Sequence, residues 1–453
     1  MFRWAAGLLL LAAAAGAAVY VIAGRGAPPA LSIEKPERVA GQTGTLEVAA
    51  GAPGAVFTNL TITLEQNGRE TPLFSLDNQG SSKVTQEENR LRITRPFGRL
   101  SIPELKQGTA RIVVNATRPS LFGLRLLSGS ASKDILIKLE PPMLSVVSTH
   151  HYLNHGGSEL VLYRVTPADV QSGVRVGDLE YPGYPAGVGA DPTVRMAFFA
   201  LLPDQDIATP IAVFARDDVG NEARTAFVDK VFPKPFRRSR IVLDDRFLQR
   251  VVPDILQRSP ELTARANDLL ADFLNINGEL RKMNAQHIEG IASRTASTRL
   301  WEGPFVQLGN SQVEASFADY RTYLYKDKDV DHQVHLGFDL AVTAAVPVVS
   351  ANAGTVLHAG WLGIYGNCVI VDHGMGVASL YGHLSSVDVK PGDGVKKGQV
   401  LGRSGMTGLA AGDHLHFTML VNGRPVTPVE WWDSHWIADR VDRKVEALGN
   451  PAR

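Results

Sequence analysis

Residues 60–76, LTITLEQNGRETPLFSL, hold two runs in which apolar and polar positions alternate, separated by Asn67-Gly68. A period of two places the apolar side chains on one face of a strand, and Asn-Gly takes the left-handed backbone that a two-residue hairpin needs. The period recurs in TARIVVNAT (109–117) and KDILIKLE (133–140). After the Glu140-Pro141-Pro142 break it returns in ELVLYRV (159–165), TPIAVFARDD (209–218) and ARTAFV (223–228), the last two around Val219-Gly220-Asn221. Short strands punctuated by glycine-rich turns predict two sandwich-like β domains, over residues 31–140 and 141–232.

The period then lengthens. FPKPFRRSR (232–240) reads as a solvated basic linker. Beyond it Phe247, Leu248, Val251, Val252, Ile255 and Leu256 fall at helical spacing, and Leu262, Ala266, Leu269, Leu270, Phe273 and Leu274 form a second stripe. Ser259-Pro260 reads as the N-cap and first position of the second helix, and Pro253, Pro260 and Gly278 interrupt any long heptad pattern. A helical segment over 241–298 is expected, followed from Leu300 by a β-rich, glycine-dense domain over 300–440. ARDDVGNEART (215–225) resembles the closing hairpin of bacterial immunoglobulin-like modules, so the two upstream β domains are expected to be Ig-like.

The segment WAAGLLLLAAAAGAAVYVIAG (4–24) carries no charge, and Arg3 and Arg25 flank it. About 20 apolar residues span a bilayer, whereas a cleaved signal has an apolar region of roughly 7–15. The expectation is an uncleaved N-terminal transmembrane helix over 1–25, leading through RGAPPA into the first β domain. The chain of 453 residues has 46 basic and 46 acidic side chains, a balance that argues against a nucleic-acid partner. Its one cysteine, Cys368, excludes an internal disulfide, and within NCVIV it reads as a buried strand residue with nothing nearby to activate it.

Nine of the twelve histidines lie after residue 280, which concentrates candidate chemistry in the last domain. GDHLHFTML (412–420) sets His414 and His416 two apart in an apolar strand, hence on one face. DHQVHLGFDLAV (331–342) offers His335 and Asp339; a straight strand would hold them ~13 Å apart, and Gly337 between them lets the chain bend. Between these stretches, VDHGMGVASLYGHL contributes His373, read as a turn-end hydrogen-bonder, and His383. A catalytic zinc takes three N/O ligands and keeps one position open. His335, Asp339 and one of His414 and His416 supply such a set, leaving the other imidazole and His383 for proton transfer. HHYLNH (150–155) reads as a polar loop rather than a second metal site.

H335-L-G-F-D339, Y381-G-H383-L and H414-L-H416-F, in this order, resemble the lysostaphin/LytM-type zinc metalloendopeptidases, which cleave peptide cross-links of bacterial peptidoglycan. The resemblance covers about residues 300–432. It implies a mostly antiparallel β metallopeptidase domain with Zn2+ in a groove, His335, Asp339 and His416 as ligands, and His383 and His414 as catalytic residues. Three positions depart from the family's habit: Ala345 where Gly is common, Asp413 where Pro or Ser is common, and Thr418 where Glu is common. These bear on groove shape and substrate preference and remove no ligand. VKPGDGVKKGQVLGRSG (389–405) also resembles the hammerhead of biotin or lipoyl carriers, but Lys396 and Lys397 lack the modified lysine's context, so a turn scaffold is expected.

The chain is thus expected to be multidomain and mainly β, and to act as a zinc-dependent peptidoglycan endopeptidase. Two histidines would serve acid/base and oxyanion roles, and either can take either. Expected partners are peptidoglycan cross-links, the membrane through the N-terminal helix, and a regulatory envelope protein. The expected location is the inner (cytoplasmic) membrane, single-pass, with the bulk of the chain in the periplasm. The helices or β domains would occlude the groove or act as spacers. The alternative is a non-enzymatic envelope scaffold or activator of another cell-wall hydrolase; retention of all five site positions favours the enzyme.

Overall fold

The computed structural model describes residues 2–23, 26–123, 125–187, 191–264 and 268–449. The chain is mainly β and divides into two compact units, residues 1–141 with 216–222, and residues 142–215 with 223–453.

Phe2–Ala23 form one helix, on which Leu8–Leu11 and Val19–Ile22 are exposed. The expected membrane span over 4–24 finds no support here. Among the described residues no helix is long and apolar enough to cross a membrane. Arg25 lies outside the described residues.

The rest of the first unit is a two-sheet sandwich. Ala30–Lys35, Thr45–Gly51, Arg90–Pro96 and Lys83–Glu87 form one sheet, and Val39–Ala40, Arg125–Ile137, Gly108–Ser120, Asn59–Gln66 and Arg69–Ser75 the other. Alternation in the sequence buries Leu46, Val48 and Ile93 from the first sheet against Ile62, Ile112 and Val114 from the second. Asn67 and Gly68 both take positive φ in the tight hairpin that their sequence signals.

In the second unit the strands Ser158–Thr166 and Val194–Ala200 are apolar on both faces because two neighbours cover them. One side chain set, Phe198, Trp301 and Trp431, joins this β region to the C-terminal region, with ring centroids 5.6–6.3 Å apart. Each such buried aromatic contributes about 1.5–3 kcal/mol through burial alone. Polar ties reinforce the join. Glu430 accepts from Asn154 Nδ2 and Ser158 N, both at 2.8 Å, and buried Lys444 donates to Glu159 Oε1 at 2.9 Å.

The C-terminal region holds the largest sheet. Its strand order is Gln312–Ala315, Phe338–Ala341, His414–Val421, Val377–Leu384, Asn367–Gly374, Gly354–Trp361 and Gly394–Val395, with Arg424–Val426 also paired to 414–421. Its neighbouring strands pair antiparallel. Cys368 lies buried in it, and burial raises its thiol pKa, in keeping with an inert strand residue. His373 is also buried, with Nδ1 2.7 Å from Ala353 O and Nε2 2.7 Å from Ser379 Oγ.

Three local expectations change. The basic stretch at 232–240 is not all linker, because Arg238–Leu243 form a strand parallel to Asp319–Tyr325. Helix Asp245–Arg258 begins where Asp244 accepts from Phe247 N and runs through Pro253, whose side is exposed. The next helix does not begin at Ser259-Pro260. Ser259 is buried beneath Trp361, whose Nε1 donates to its hydroxyl at 3.2 Å, and the helix starts at Leu269 with Asp268 capping Leu270 N and Ala271 N. Ala266 of the expected stripe lies outside the described residues. Residues 152–154 of HHYLNH are a short strand parallel to 230–232, and His151 is buried against Ser148.

Burial pushes the Glu430 carboxyl up to about 7, against the opposing hydrogen bonds from Asn154 and Ser158. A carboxyl raised in the folded state stabilises fully below its unfolded pKa, and that contribution is lost as pH rises through the folded value. Glu430→Gln has no such dependence. Relative to wild type it should gain on the order of 2 kcal/mol between pH 5 and pH 8, measured by urea unfolding followed through tryptophan fluorescence. A constant difference between the two proteins across that range contradicts the assignment.

Candidate metal centre

The site is assembled where two antiparallel strands meet the end of a third. Phe338–Ala341 pairs with His414–Val421 so that Asp339 lies directly opposite His416 and Ala341 opposite His414. Antiparallel neighbours share side-chain direction across the sheet, so Asp339, His414 and His416 all leave one face. His335 ends the Lys328–His335 strand, and the chain turns at residues 336–337 to bring it back. His335 Nε2 thereby reaches 2.9 Å from Asp339 Oδ1, against the ~13 Å of a straight strand.

Gly337 acts here through space rather than through backbone freedom, since its φ is not in the left-handed region. A Cβ on it would stand 2.5 Å from His416 Nε2 and 2.6 Å from Thr418 Oγ1. Only glycine lets the turn pack this close to the ligand strand.

His335 Nε2, His416 Nδ1 and Asp339 Oδ1 lie within 2.9–3.1 Å of one another. His335 Nδ1 is 3.2 Å from Ser316 O, and a carbonyl only accepts, so in the neutral ring Nε2 is left with a lone pair. Two imidazole nitrogens and a carboxylate oxygen, nearly buried and facing a common point, suit a divalent cation of borderline softness. Arg321 Nη2 binds the other carboxylate oxygen, Oδ2, at 3.1 Å, which leaves Oδ1 for the cation. Arg321 is held in turn by Asp319, and Asp319 by Ser239 Oγ at 2.7 Å.

The other two histidines stand beside this trio. Ring centroids of His383 and His414 are 4.8 Å apart, and His383 is 5.7 Å from His416. His383 Nδ1 donates to Thr407 O at 2.8 Å and His414 Nδ1 to Gly412 O at 2.9 Å, which leaves each Nε2 turned to the groove, that of His414 3.5 Å from Asp339 Oδ1. His383 holds a left-handed backbone, φ +63°, which costs a non-glycine residue about 1–2 kcal/mol. Tertiary packing holds its side chain there against that cost.

Burial would raise the Asp339 carboxyl, but the charge of His335 and hydrogen bonds from His335, His414 and His416 hold it well below the usual range. Burial lowers His416 to about 4 and, with the nearby His414 and His416, depresses His383 strongly. His414 is raised. Burial opposes this, but the hydrogen bond and charge of Asp339 prevail. A bound cation would neutralise Asp339 and withdraw that support.

Two residues that the sequence passed over, Tyr365 and Arg321, and one that it read only as a departure, Thr418, complete the site. Tyr365 packs on His416 at 5.4 Å between ring centroids, and Arg321 and Thr418 contact ligands directly. The two departures Ala345 and Asp413 meet each other. Ala345 sits at φ +55°, a position that favours glycine, and its N–H donates to Asp413 Oδ2 at 3.1 Å. An Arg standing alone in the DYRTYLY strand was the one available signal for Arg321.

The site opens into a cavity of about 460 Å³ whose other wall comes from the helical segment and its leading strand, including Arg240, Phe247, Phe273 and Arg281. Arg250 fastens that wall by donating to Ala410 O and Ala411 O at 2.9 and 3.0 Å. Asn284 Oδ1 accepts from Ile364 N at 3.0 Å beside Tyr365. His335, His383, His414 and His416 are each under a tenth exposed.

Residues 333–428 match the family model described as Peptidase family M23. A DD-carboxypeptidase/endopeptidase, Mpg, of Neisseria meningitidis serogroup B is 40% identical over 97 residues, 21% of this chain and 22% of that protein. The peptidoglycan DD-endopeptidase ShyA of Vibrio cholerae is 38% identical over 176 residues, 39% of this chain and 36% of that protein. The chain therefore spans well under half the length of these relatives. Among solved structures, the catalytic domain of the antimicrobial peptidase lysostaphin from Staphylococcus simulans aligns at 28% identity and a TM-score of 0.24. That alignment covers 27% of this chain and 92% of that domain.

If the three converging atoms hold the ion, His335→Ala and Asp339→Ala will each lose it, and His383→Ala will retain one zinc per chain. Elemental analysis of the dialysed proteins reads this directly. A fully zinc-loaded His335→Ala protein sinks the ligand assignment.

Proposed function

We propose that this chain, whose residues 333–428 form a domain of peptidase family M23, is a zinc endopeptidase hydrolysing peptide cross-links of bacterial peptidoglycan. The observation that carries this reading is the convergence of His335, Asp339 and His416 beside two further imidazoles in one groove. The names of the two relatives support a D,D bond as the target.

A zinc ion held by His335, Asp339 and His416 would polarise the scissile carbonyl and acidify a water. The protein's own part is positioning and proton transfer. His383 and His414 are oriented by the carbonyls of Thr407 and Gly412 and present Nε2 to the groove. One takes the proton of the attacking water, and the other steadies the developing oxyanion and returns a proton to the leaving amine. Burial of all four rings keeps bulk water from weakening these interactions.

The helical segment supports a second component, restraint. A cavity of about 460 Å³ suits a small molecule, whereas a cross-linked peptide continues at both ends and needs an open groove. On this reading the wall that includes Arg240, Phe247, Phe273 and Arg281 moves for substrate to enter. A cell-envelope location accords with the substrate. Inner-membrane anchoring through residues 4–24 rests on the uncharged sequence run alone.

Purified cross-linked muropeptides should be cleaved by the zinc-loaded chain and left intact after chelation, with cleavage restored by added zinc. His383→Ala should lower turnover by about 10²–10⁴-fold. An intact substrate with stoichiometric zinc bound would point to the scaffold or activator instead. Restraint is tested in the full chain, because a fragment starting at residue 300 would lose half of a shared core. Arg250→Ala, which frees the wall from residues 410–411, should raise cleavage on the order of tenfold, the equivalent of about 1.4 kcal/mol of closure. Unchanged or reduced cleavage rejects the restraint.

A further inference from the structure

Thr418 departs from the family's habit, and the sequence assigned it to groove shape. Its side chain does not face the groove as a free group. It is 2% exposed and sits between a ligand and the turn that carries the other two ligands. Thr418 Oγ1 lies 3.0 Å from His416 Nε2 and 3.0 Å from Leu336 O. Leu336 is the residue after His335, within the His335–Asp339 turn.

We propose that Thr418 is a positioning residue for the metal centre: its hydroxyl fixes the ring of His416 and ties the ligand strand to the His335–Asp339 turn. The assignment rests on His416 being a metal ligand through Nδ1.

The reasoning is one of hydrogen-bond supply. A hydroxyl has one proton to give and lone pairs to receive. Leu336 O can only accept, so the Thr418 proton goes there. Oγ1 is then left to accept, and the group facing it is His416 Nε2. An imidazole that uses Nδ1 as a lone pair carries its proton on Nε2, so the two demands agree. The chain of donors runs from His416 Nε2–H to Thr418 Oγ1–H to Leu336 O, with no member unpaired. The free end of the same ring, Nδ1, is the atom 3.1 Å from both Asp339 Oδ1 and His335 Nε2.

Two further observations support a built arrangement. Gly337 leaves no Cβ where one would stand 2.6 Å from Thr418 Oγ1, so the turn is packed down onto this hydroxyl. His416 also sits opposite Gly382 on its other neighbouring strand, and a Cβ there would be only 3.4 Å from the His416 Cβ. Among the described residues, Thr418 is the hydrogen-bond partner of His416 Nε2. Outer partners of metal-bound histidines commonly set affinity by about 10–100-fold.

The test compares full-length wild type, Thr418→Val and Thr418→Ser. Valine keeps the shape and removes the hydroxyl; serine keeps the hydroxyl. Zn2+ affinity is read by competition with a chromophoric chelator, and Co2+ substitution gives the visible spectrum of the site. T418V should bind Zn2+ about 10–100-fold more weakly with an altered Co2+ spectrum, and T418S should restore both to near wild type. Wild-type affinity in T418V overturns the proposal, as does a loss in T418S equal to that in T418V. Wild type that takes up no Zn2+ overturns the metal reading together with it, and that arm separates the two failures. Should T418V not fold, zinc-loaded wild type decides. The His416 Nε2–H must appear by NMR as a downfield proton protected from exchange, and a freely exchanging one overturns the proposal.

Discussion

The site depends on one register. Pairing of the 338–341 strand with the 414–421 strand sets Asp339 across from His416 and Ala341 across from His414. Because side chains alternate along a strand, a slip of one residue would turn both histidines to the opposite face and leave Asp339 alone. The register is pinned from both sides. Leu340, Leu415 and Phe417 fill the core beneath, and the 377–384 strand holds the far edge of 414–421 with Gly382 against His416. Chemistry on one face is therefore secured by apolar packing on the other.

Around that register the molecule layers its supports outward. Ser316 O, Thr407 O and Gly412 O orient three imidazoles through Nδ1, so backbone carbonyls of residue 316 and of the 404–413 loop choose which nitrogen faces the groove. Arg321 does the same for the carboxylate, and reaches through Asp319 to Ser239 on a strand that precedes the helical segment. The wall that narrows the groove is thus also connected to a ligand. Access to the groove and ligand geometry share parts.

How much of this was legible in the sequence follows from the range of each signal. Hairpins such as 59–75 were legible because alternation and Asn-Gly are local. Three short motifs marked the five candidate residues, and residues 333–428, which hold all five, match the M23 family model. Their geometry was not legible, since Asp339 and His416 are 77 residues apart and only strand pairing joins them. Gly337 was read as a hinge, but the imidazole of His416 occupies the place of its missing side chain. Ser259-Pro260 looked like a helix start because the local pattern fits one, and burial of Ser259 under Trp361 overrode it. The strand at 238–243 was hidden because its partner lies some 80 residues away and its exposed arginines resemble those of a linker. The uncharged run at 4–24 was conspicuous in the sequence, yet among the described residues no helix is long and apolar enough to cross a membrane.

The core shared by Phe198, Trp301 and Trp431 bears on how the chain acquires its structure over time. The β region at 142–232 cannot close its own interior until residues 430–444 arrive, for Glu430 and Lys444 complete its buried polar groups. Contacts spanning more than 270 residues are slow to form and come late in synthesis. His414 and His416 also follow Asp339 by 75 and 77 residues. A growing chain would therefore lack the complete trio until residue 416 has emerged. The trio would take its final geometry only once the shared core can close.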